Sequence, residues 1–301
     1  MIIVKISHGL GNQLFQYALG RYLSIKNKTD LFLDTSFYTT INKSETPRTY
    51  SLDNFKIIGK LSSAAEMLNI GIPNVSNTTF VEKLKRKLLR MSERTKPLRD
   101  RKFIIEPYFQ FCPEIFEIND NCYLSGNWQS EKYFKKIEDV LRKELTLKNI
   151  PTFLTKEWLQ KTATCNSISI HIRRGDYIQK TNTNKIHGTC EAEYYENAVK
   201  LISKTINKPE FFIFSDDIDW AKKNLRINYP IHLVSDNEIL DYEELIIMSN
   251  CKHNITANSS FSWWGAWLNN NRNKITIAPK KWFQVEEIDT KDLIPSSWIR
   301  I

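Results

Sequence analysis

The chain has 301 residues, of which 41% are hydrophobic, and it carries a formal net charge of +9. This length suggests two domains or one large one, and the composition suffices for buried cores. No apolar run approaches the ~18 residues of a membrane-spanning helix, and the apolar residues 1–6 are too few for a secretory signal. The five cysteines are odd in number and form no CxxC pair. We therefore expect neither a zinc site nor a disulfide framework, and we expect a cytoplasmic protein.

The first half of the chain is predicted to form an α/β domain. Apolar runs predict strands, and helical spacing of apolar residues predicts the helices between them. Pro151 marks a break, so we predict domains at 1–150 and 151–301. The predicted strands are 2–6, 31–34, 103–105 and 122–125, the predicted helices are 13–26 and 131–145, and the polar stretch 39–50 is predicted to be a loop.

A glycine-containing loop joins the first predicted strand to the first helix. It holds His8, Gly9, Gly11, Asn12 and Gln13. Glycine lets a backbone approach a ligand closely, so one hypothesis is a loop that faces the substrate across an interdomain cleft, with Asn12 supplying polar contacts. The alternative is a plain strand–helix turn, because the third small residue of a dinucleotide-binding fingerprint is missing.

The positive charge is concentrated in residues 81–102, which contain ten Lys or Arg and only three acidic residues. This uneven placement is not typical of a nucleic-acid-binding protein. Leu84, Leu88 and Met91 recur at helical spacing and predict a short helix with an apolar stripe. One interpretation is a solvated helix whose stripe packs on the first domain. The other is a reversible, peripheral contact with anionic membrane at its inner face.

The second half alternates regularly between strand-like and helical patterns. That order predicts a parallel sheet covered by helices on both faces, as in a Rossmann-like domain. The predicted strands are 167–172, 211–215, 231–234, 253–257 and 274–278, and the predicted helices are 191–206, 217–225, 238–250 and 261–270.

Three polar clusters follow strands of this sheet directly. In a doubly wound sheet, ligands bind outside the carboxyl ends of the strands, so we expect the clusters to converge at one edge. Arginine holds phosphate through parallel N–H donors, and two adjacent arginines suit a diphosphate. The alternative is a surface pair that is salt-bridged to Asp176. The clusters are Arg173 with Arg174, Ser215 with Asp216 and Asp217, and Asn258 with Ser259 and Ser260.

The polar residues after the other two strands leave alternatives open. Asp216 and Asp217 could accept the paired N–H donors of guanine. Asp217-Ile218-Asp219 could also be a metal–diphosphate motif, or the aspartates could simply cap the next helix. Residues 258–260 could cap the following helix, hold a phosphate at its N-terminus, or do both. The tryptophan-rich block 263–267 is more typical of a core than of a binding site.

Four segments together carry a resemblance to bacterial α-1,2-fucosyltransferases of glycosyltransferase family 11. They span nearly the whole chain in the family's order. Two small departures are Ser260, where Thr is common, and His8, where Gly is common. The segments are HGLGNQLFQY at 8–17, HIRRGDY at 171–177, FSDD at 214–217 with Trp220, and NSSFSWWGAWL at 258–268.

The resemblance implies a GT-B-like fold, in which two Rossmann-like domains face each other across a cleft. It implies transfer of L-fucose from GDP-β-L-fucose to a galactose-terminated glycan, with inversion, no metal and no other cofactor. Domain 1–150 would lie on the acceptor side, and 151–301 would bind the donor. A lipid-linked acceptor of surface-polysaccharide synthesis would suit this family. The implied donor-binding residues are Gly9, Gly11, Asn12, Gln13, His171, Arg173, Arg174, Ser215, Asp216, Asp217, Asn258, Ser259 and Ser260.

The catalytic candidates are Arg173, Arg174 and Asp176. The arginines would stabilise charge on the departing phosphate. Asp176 would be the general base or would only orient the arginines, and His8 and His171 are lesser candidates for the base. Two rival functions remain at this stage. One is a non-catalytic protein that binds an anionic ligand or nucleic acid through residues 81–102. The other is a transferase that uses another GDP-sugar, such as GDP-mannose.

Overall fold

The computed structural model describes residues 1–39, 48–72, 79–179, 181–235, 238–285 and 287–301, and only the backbone of 82, 83, 176, 179 and 181–183. The chain divides into two compact units. The N-terminal unit comprises 1–148 with 291–293, and the C-terminal unit comprises 149–290 with 294–301. No helix among these residues combines the length and the apolar composition that crossing a bilayer requires.

The N-terminal unit is a parallel α/β structure. Its five strands are all parallel and lie in the order β3-β2-β1-β5-β4. The strands are β1 (Ile2–Lys5), β2 (Leu31–Asp34), β3 (Lys60–Leu61), β4 (Phe103–Ile105) and β5 (Cys122–Ser125). The α-helices are α1 (Leu10–Lys26), α2 (Ser36–Thr39), α3 (Ala64–Asn69), α4 (Phe80–Arg94) and α5 (Glu138–Glu144). Short 3₁₀ helices lie at Leu52–Asn54, Leu98–Asp100, Pro113–Glu117, Glu131–Tyr133 and Lys135–Ile137.

The C-terminal unit repeats this plan with six parallel strands in the order β11-β10-β9-β6-β7-β8. Its strands are β6 (Asn166–Ile172), β7 (Pro209–Ser215), β8 (Ile231–Leu233), β9 (His253–Ile255), β10 (Thr276–Ala278) and β11 (Ile299–Arg300). Its helices are α6 (Phe153–Thr164), α7 (Gly175–Gln179), α8 (Thr181–His187), α9 (Ala192–Ser203), α10 (Ile218–Asn224), α11 (Asp241–Asn250) and α12 (Ser260–Leu268).

The strand order of the C-terminal sheet reverses once, between β6 and β9. The helices that follow these two strands, α9 and α12, lie on opposite faces of the sheet, which leaves a crevice at the carboxyl edge where the fold can accept a ligand. In the N-terminal sheet β1 and β5 are neighbours, but the helices that follow them, α1 and α5, contact each other on one face. The loops after β1 and β5 lie at the carboxyl edge of that sheet.

The alternating pattern predicted the regular elements correctly, because long apolar runs and helical spacing dominate them. The α/β class and the parallel sheet of the second half are confirmed. The two-residue edge strands β3 and β11 were missed, because so short a pairing leaves no periodic pattern. Helix α8 (Thr181–His187) was also missed, because its polar sequence has no helical spacing of apolar residues. Most of the predicted loop at 39–50 lies outside the described residues.

The predicted helix at 131–145 is broken near its start. Two 3₁₀ turns precede α5, and Phe134 between them has φ −136°, which is not helical. The Phe134 side chain is completely buried. Burial of this large ring stabilises the non-helical backbone at Phe134 more than one further helical turn would.

Helix α4 does not pack on the N-terminal unit through the apolar stripe that the sequence analysis identified. Leu89 packs with the apolar cluster that contains Ile3, Phe103 and Tyr123. Leu84, Leu88 and Met91 are exposed instead of packed. The helix and its stripe were predicted correctly, but the packing of that stripe on the first domain was wrong.

A buried ion pair joins α1 to α5 inside the N-terminal unit. Arg21 Nη2 lies 2.8 Å from Glu144 Oε1, and both side chains are at most 16% exposed. The Tyr17 hydroxyl donates a second hydrogen bond to the same carboxylate. A buried carboxylate without its cation is costly because water cannot solvate it.

We predict that Arg21→Gln lowers the free energy of unfolding of the N-terminal unit by about 3 kcal/mol, because it leaves Glu144 buried without its cation. Urea denaturation followed by circular dichroism measures this change. The control is Lys60→Gln, which breaks the exposed Lys60–Asp30 pair and should cost less than about 1 kcal/mol. Equal losses for the two variants would contradict the prediction.

Candidate functional site

The predicted polar clusters meet at the crevice of the C-terminal unit. Strand β6 lies between β9 and β7, so the residues that follow these three strands are neighbours. The register pairs Ile172 with Ser215 at the ends of β6 and β7. The next residues, Arg173 and Asp216, therefore emerge side by side. The predicted convergence at one edge of the sheet is confirmed.

Two carboxylates neutralise the two arginines. Arg173 Nη1 lies 2.8 Å from Asp216 Oδ2, and the backbone N–H of Arg174 donates to Asp216 Oδ1 over 2.8 Å. Arg174 Nε lies 3.5 Å from Asp217 Oδ2. Adjacent guanidinium groups repel each other, and the aspartates offset that repulsion.

Arg174 is held by an aromatic ring as well as by a carboxylate. Its guanidinium carbon lies 4.1 Å from the centre of the Trp220 ring, a cation–π arrangement that fixes the guanidinium plane. Its buried Nε atom is at ion-pair distance from Asp217 but makes no well-aligned hydrogen bond among the described residues. An incompletely satisfied buried donor of this kind would gain from a better-aligned acceptor.

Asp217 caps the helix that follows it. Its Oδ1 accepts a hydrogen bond from Trp220 N over 3.0 Å at the start of α10, and its own N–H donates to Ser215 Oγ. The capping interpretation of Asp217 is confirmed. Each oxygen of Asp216 and Asp217 therefore lies against a protein cation or N–H group, and recognition of guanine by either residue stays a prediction.

Gly175 and Asp176 begin α7 directly after the arginines. A Cβ atom at Gly175 would lie 2.8 Å from Asp216 Oδ2, so glycine is needed for Asp216 to lie beside β6. Asp176 lies in α7, but its side chain is outside the described part of the chain. Its two suggested roles, general base and orienting group, stay predictions, and so does the suggested salt bridge to the arginines.

Asn258 organises the crevice from β9. Its amide nitrogen donates to the carbonyl oxygens of His187, Gly188 and Trp282 over 2.9–3.3 Å, and its side chain is buried. The hydroxyl of Tyr177 donates to the Asn258 carbonyl over 3.3 Å. The structure therefore gives the Asn258 side chain a positioning role.

The N-terminus of α12 faces the same edge of the sheet. Ser259 is its N-cap residue, but its side chain makes no capping hydrogen bond. The first N–H groups of a helix carry partial positive charge and attract anions. The helix is anchored behind this point by Trp263, Trp264 and Trp267, which are buried. The core interpretation of the tryptophan block is confirmed.

His171 lies at the end of β6 with its ring buried against Phe261. Burial, aided by the charge of Arg173, lowers the pKa of His171 to about 3. The imidazole is therefore neutral at physiological pH, and so low a pKa makes it a weak base.

The glycine-containing loop lies at the carboxyl edge of the N-terminal sheet, directly after β1. Gly9 has φ −77°, and a Cβ there would meet nothing closer than 3.9 Å. It is His8 that has positive φ, at 66°. Many relatives were expected to have glycine at position 8, and this backbone explains that preference.

Amide side chains hold this loop in place. Gln13 donates to the carbonyls of His8 and Thr49 and accepts from Ser51 N over 2.8–3.1 Å. Asn12 Oδ1 accepts a hydrogen bond from Gln129 Nε2 over 2.6 Å. The Gln13 amide is therefore used within the protein. The predicted donor contacts of Gly9, Gly11, Asn12 and Gln13 stay predictions.

Two buried carboxylates near the carboxyl edges of the two sheets were not identified from the sequence. Glu106 accepts hydrogen bonds from Asn127 N and Trp128 N, and burial raises its pKa to about 7. Burial likewise raises the pKa of Glu244 to about 7, despite its hydrogen bond to Ser235. Neither residue belongs to a sequence motif, and their raised pKa values come from burial, which only the fold reveals. The described residues contain no cluster of three or more acidic, His or Cys side chains suited to a metal ion.

Comparisons with known proteins agree with this geometry. The model of "Glycosyl transferase family 11" matches residues 1–301. An Escherichia coli α-1,2-colitosyltransferase is 34% identical, covering 100% of this chain and 99% of that protein. The E. coli O-antigen biosynthesis glycosyltransferase WbnK is 31% identical, covering 98% of this chain and 99% of WbnK.

A solved structure shares the architecture of this chain. The fucosyltransferase NodZ from Bradyrhizobium is similar with a TM-score of 0.51 and 11% identity, over 88% of this chain and 91% of NodZ. This likeness extends to the fold alone. The expected GT-B-like class, with two Rossmann-like α/β units, is confirmed.

We predict that His171 titrates near pH 3 rather than near its ordinary 6.5. Between pH 3 and pH 6.5 the unfolded chain therefore binds more protons at this residue than the folded chain does. The contribution of His171 to the free energy of unfolding is then complete above pH 6.5 and decreases as the pH falls. From pH 7 to pH 5 the free energy of unfolding should drop by about 2 kcal/mol because of His171, and the variant His171→Asn should lack this drop.

Urea unfolding of the two proteins at both pH values measures this difference. Carbon-13 NMR of labelled imidazoles, with the His171 signal identified by its absence in His171→Asn, tests the pKa directly. A titration midpoint near 6.5 would contradict the prediction.

Proposed function

Because the chain belongs to glycosyltransferase family 11, we propose that it transfers L-fucose from GDP-β-L-fucose to a galactoside, forming an α-1,2 linkage with inversion. That the protein is a glycosyltransferase follows from the family itself. The observation that carries the finer proposal is the pair of arginines at the crevice of the C-terminal unit. The arginines follow β6 and α12 follows the neighbouring β9, so both belong to the same edge of the sheet, where a diphosphate would meet positive charge from two sources.

The arginines have a defined task in the proposed reaction. The acceptor oxygen forms a bond to the anomeric carbon on the face opposite the leaving group, and the bond from that carbon to the phosphate oxygen breaks. The negative charge that develops on GDP is stabilised by Arg173, Arg174 and the first N–H groups of α12. Each charge-assisted hydrogen bond contributes about 1.5–3 kcal/mol, or roughly ten- to a hundredfold in rate.

We propose that Asp176, which follows the arginines in α7, is the general base that takes the proton from the acceptor hydroxyl. Its other suggested task is to orient them. His171 is disfavoured as the base, because burial has lowered its pKa to about 3. The charge supplied by the arginines and α12 stands where other transferases use a divalent cation, so we propose that no metal is required.

The identity of the transferred sugar is the most specific part of the proposal. Fucose is favoured by the four motif segments, whereas a relative that spans the whole chain is an α-1,2-colitosyltransferase. Colitose is L-fucose without its 3-hydroxyl. A site built to bond that hydroxyl rejects the deoxy sugar strongly, whereas an apolar pocket discriminates only weakly. GDP-colitose is therefore the second candidate donor, and GDP-mannose is a third.

The acceptor is proposed to be a galactose-terminated glycan of bacterial surface polysaccharide, in keeping with the O-antigen relative. We assign its binding to the N-terminal unit, whose carboxyl sheet edge carries the loop with Asn12, hydrogen-bonded to Gln129. A lipid-linked acceptor and a cytoplasmic location belong to the same proposal. The rival function of non-catalytic nucleic-acid binding is disfavoured by the family, whose defining activity is glycosyl transfer.

We predict that Arg173→Ala and Arg174→Ala each lower kcat/KM for transfer by about a hundredfold or more, and that Lys at either position restores little. An ammonium cannot reproduce the two parallel donors of a guanidinium, and it stacks less well on Trp220. Steady-state kinetics with GDP-fucose and lactose measure this. Arg272→Ala, which removes an exposed arginine of the same unit, is the control and should retain wild-type activity. Near-normal kcat/KM for Arg174→Lys would refute the role given to that residue.

A donor panel tests the proposed reaction itself. GDP-fucose, GDP-colitose and GDP-mannose are each offered with galactoside acceptors, and the linkage of the product is determined by NMR. We expect kcat/KM to be highest for GDP-fucose, an α-1,2 product, and undiminished activity in excess EDTA. A preference for GDP-colitose would replace the donor but keep the reaction class. Loss of activity in EDTA that Mn²⁺ restores would overturn the metal-independent mechanism.

A further inference from the structure

Helix α4 is fixed to the N-terminal unit by one narrow face. The Glu93 side chain is buried, and its carboxylate accepts hydrogen bonds from the N–H groups of Lys102 and Phe103 at the start of β4. Leu89, one turn earlier, packs into the apolar cluster beside the sheet. These contacts set the rotation of the helix about its own axis, so they also determine what it presents to solvent.

The opposite face of α4 is apolar and exposed. At 100° per residue, five apolar side chains fall within one 100° sector, about half a turn away from Leu89 and Glu93. All five are between 45% and 79% exposed. Such a contiguous apolar stripe on a protein surface marks an interaction site. The five are Phe80, Val81, Leu84, Leu88 and Met91.

Basic side chains flank this stripe on both sides. Lys85 lies next to it on one side, and Lys87 and Arg94 lie on the other, and all three are exposed. Beyond the helix, the Arg101 guanidinium donates to the carbonyls of Arg94 and Lys96, which completes the C-terminal turn. The positive charge is therefore built around the apolar face and not spread evenly over the unit.

We infer that α4 is an interfacial membrane helix, which inserts its apolar stripe into an anionic bilayer surface while its basic flanks contact the lipid headgroups. A helix with one apolar face and a Lys- and Arg-rich border lies in the plane of a membrane, with that face about 5–10 Å deep. The orientation of α4 meets this requirement, because the stripe points away from the unit.

Charge complementarity and the stripe together favour a bilayer over other partners. A nucleic acid would be bound by the basic residues, but it offers no apolar surface for Leu84, Leu88 and Met91. A second copy of α4 would cover the stripe at the cost of bringing two basic borders together. An anionic bilayer provides both an apolar interior and a negative surface. The inference concerns attachment alone, so it holds whichever sugar is transferred.

The test is co-sedimentation of the intact protein with vesicles of phosphatidylcholine containing roughly one-third phosphatidylglycerol, which gives them a negative surface potential. We expect the wild type to bind at low ionic strength and to be released as salt rises. The charge variant Lys85→Gln/Lys87→Gln/Arg94→Gln should lower the partition coefficient by roughly a hundredfold, at about fivefold per basic residue. The stripe variant Leu84→Gln/Leu88→Gln/Met91→Gln keeps the charge and should also abolish most binding.

The matched control is Lys156→Gln/Lys200→Gln/Lys204→Gln, which removes the same charge from exposed positions of the C-terminal unit. It should bind like the wild type. All variants are checked by thermal unfolding and by transfer to soluble lactose, which should stay unchanged because no site residue is altered. Failure of the wild type to bind at low salt would overturn the inference. Full binding by the stripe variant, or loss of binding in the control, would show mere polyanion attraction and would overturn it equally. None of these outcomes bears on the donor panel.

Discussion

The repulsion between two adjacent guanidinium groups is the constraint on which the candidate site depends. Arg173 and Arg174 follow one strand, and without opposing charge their repulsion would drive the two guanidinium groups apart. The neighbouring strand supplies that charge through Asp216 and Asp217. This supply requires the β6–β7 register to place Ile172 beside Ser215, and it requires glycine at position 175. The electrostatic balance of the site therefore depends on both the β6–β7 register and the glycine after the arginines.

The loop after β1 in the N-terminal unit is held mainly by amides. Gln13 and Gln16 bond backbone and hydroxyl groups of the loop and of the β5 end. Neutral amides satisfy buried backbone groups without the desolvation cost of ions. The two units thus share a parallel-sheet plan but hold their edge loops by different interactions, ion pairs in the C-terminal unit and amide hydrogen bonds in the N-terminal unit.

The sequence was sufficient for those parts of the molecule that long patterns determine. Apolar runs located the main strands, and the rule that parallel strands end at one edge predicted that Arg173, Asp216 and Asn258 lie together. Local exceptions could not be anticipated. Burial of Phe134 breaks a helix that its periodicity predicted, and the positive φ of the loop after β1 falls on His8 and not on a glycine. For α4, the spacing of Leu84, Leu88 and Met91 identified an apolar face. Only the contacts of Leu89 and Glu93 show that this face points outward.

The pairing of two arginines with two aspartates makes the resting crevice nearly neutral. A site of this kind exerts little long-range pull on a charged ligand, so the association rate should vary only weakly with ionic strength. An anion that enters the crevice must compete with the aspartates for the guanidinium groups, and the ion pairs can re-form when it leaves instead of leaving two bare cations. The same contacts that position the arginines therefore also limit how tightly the crevice can retain an anionic product.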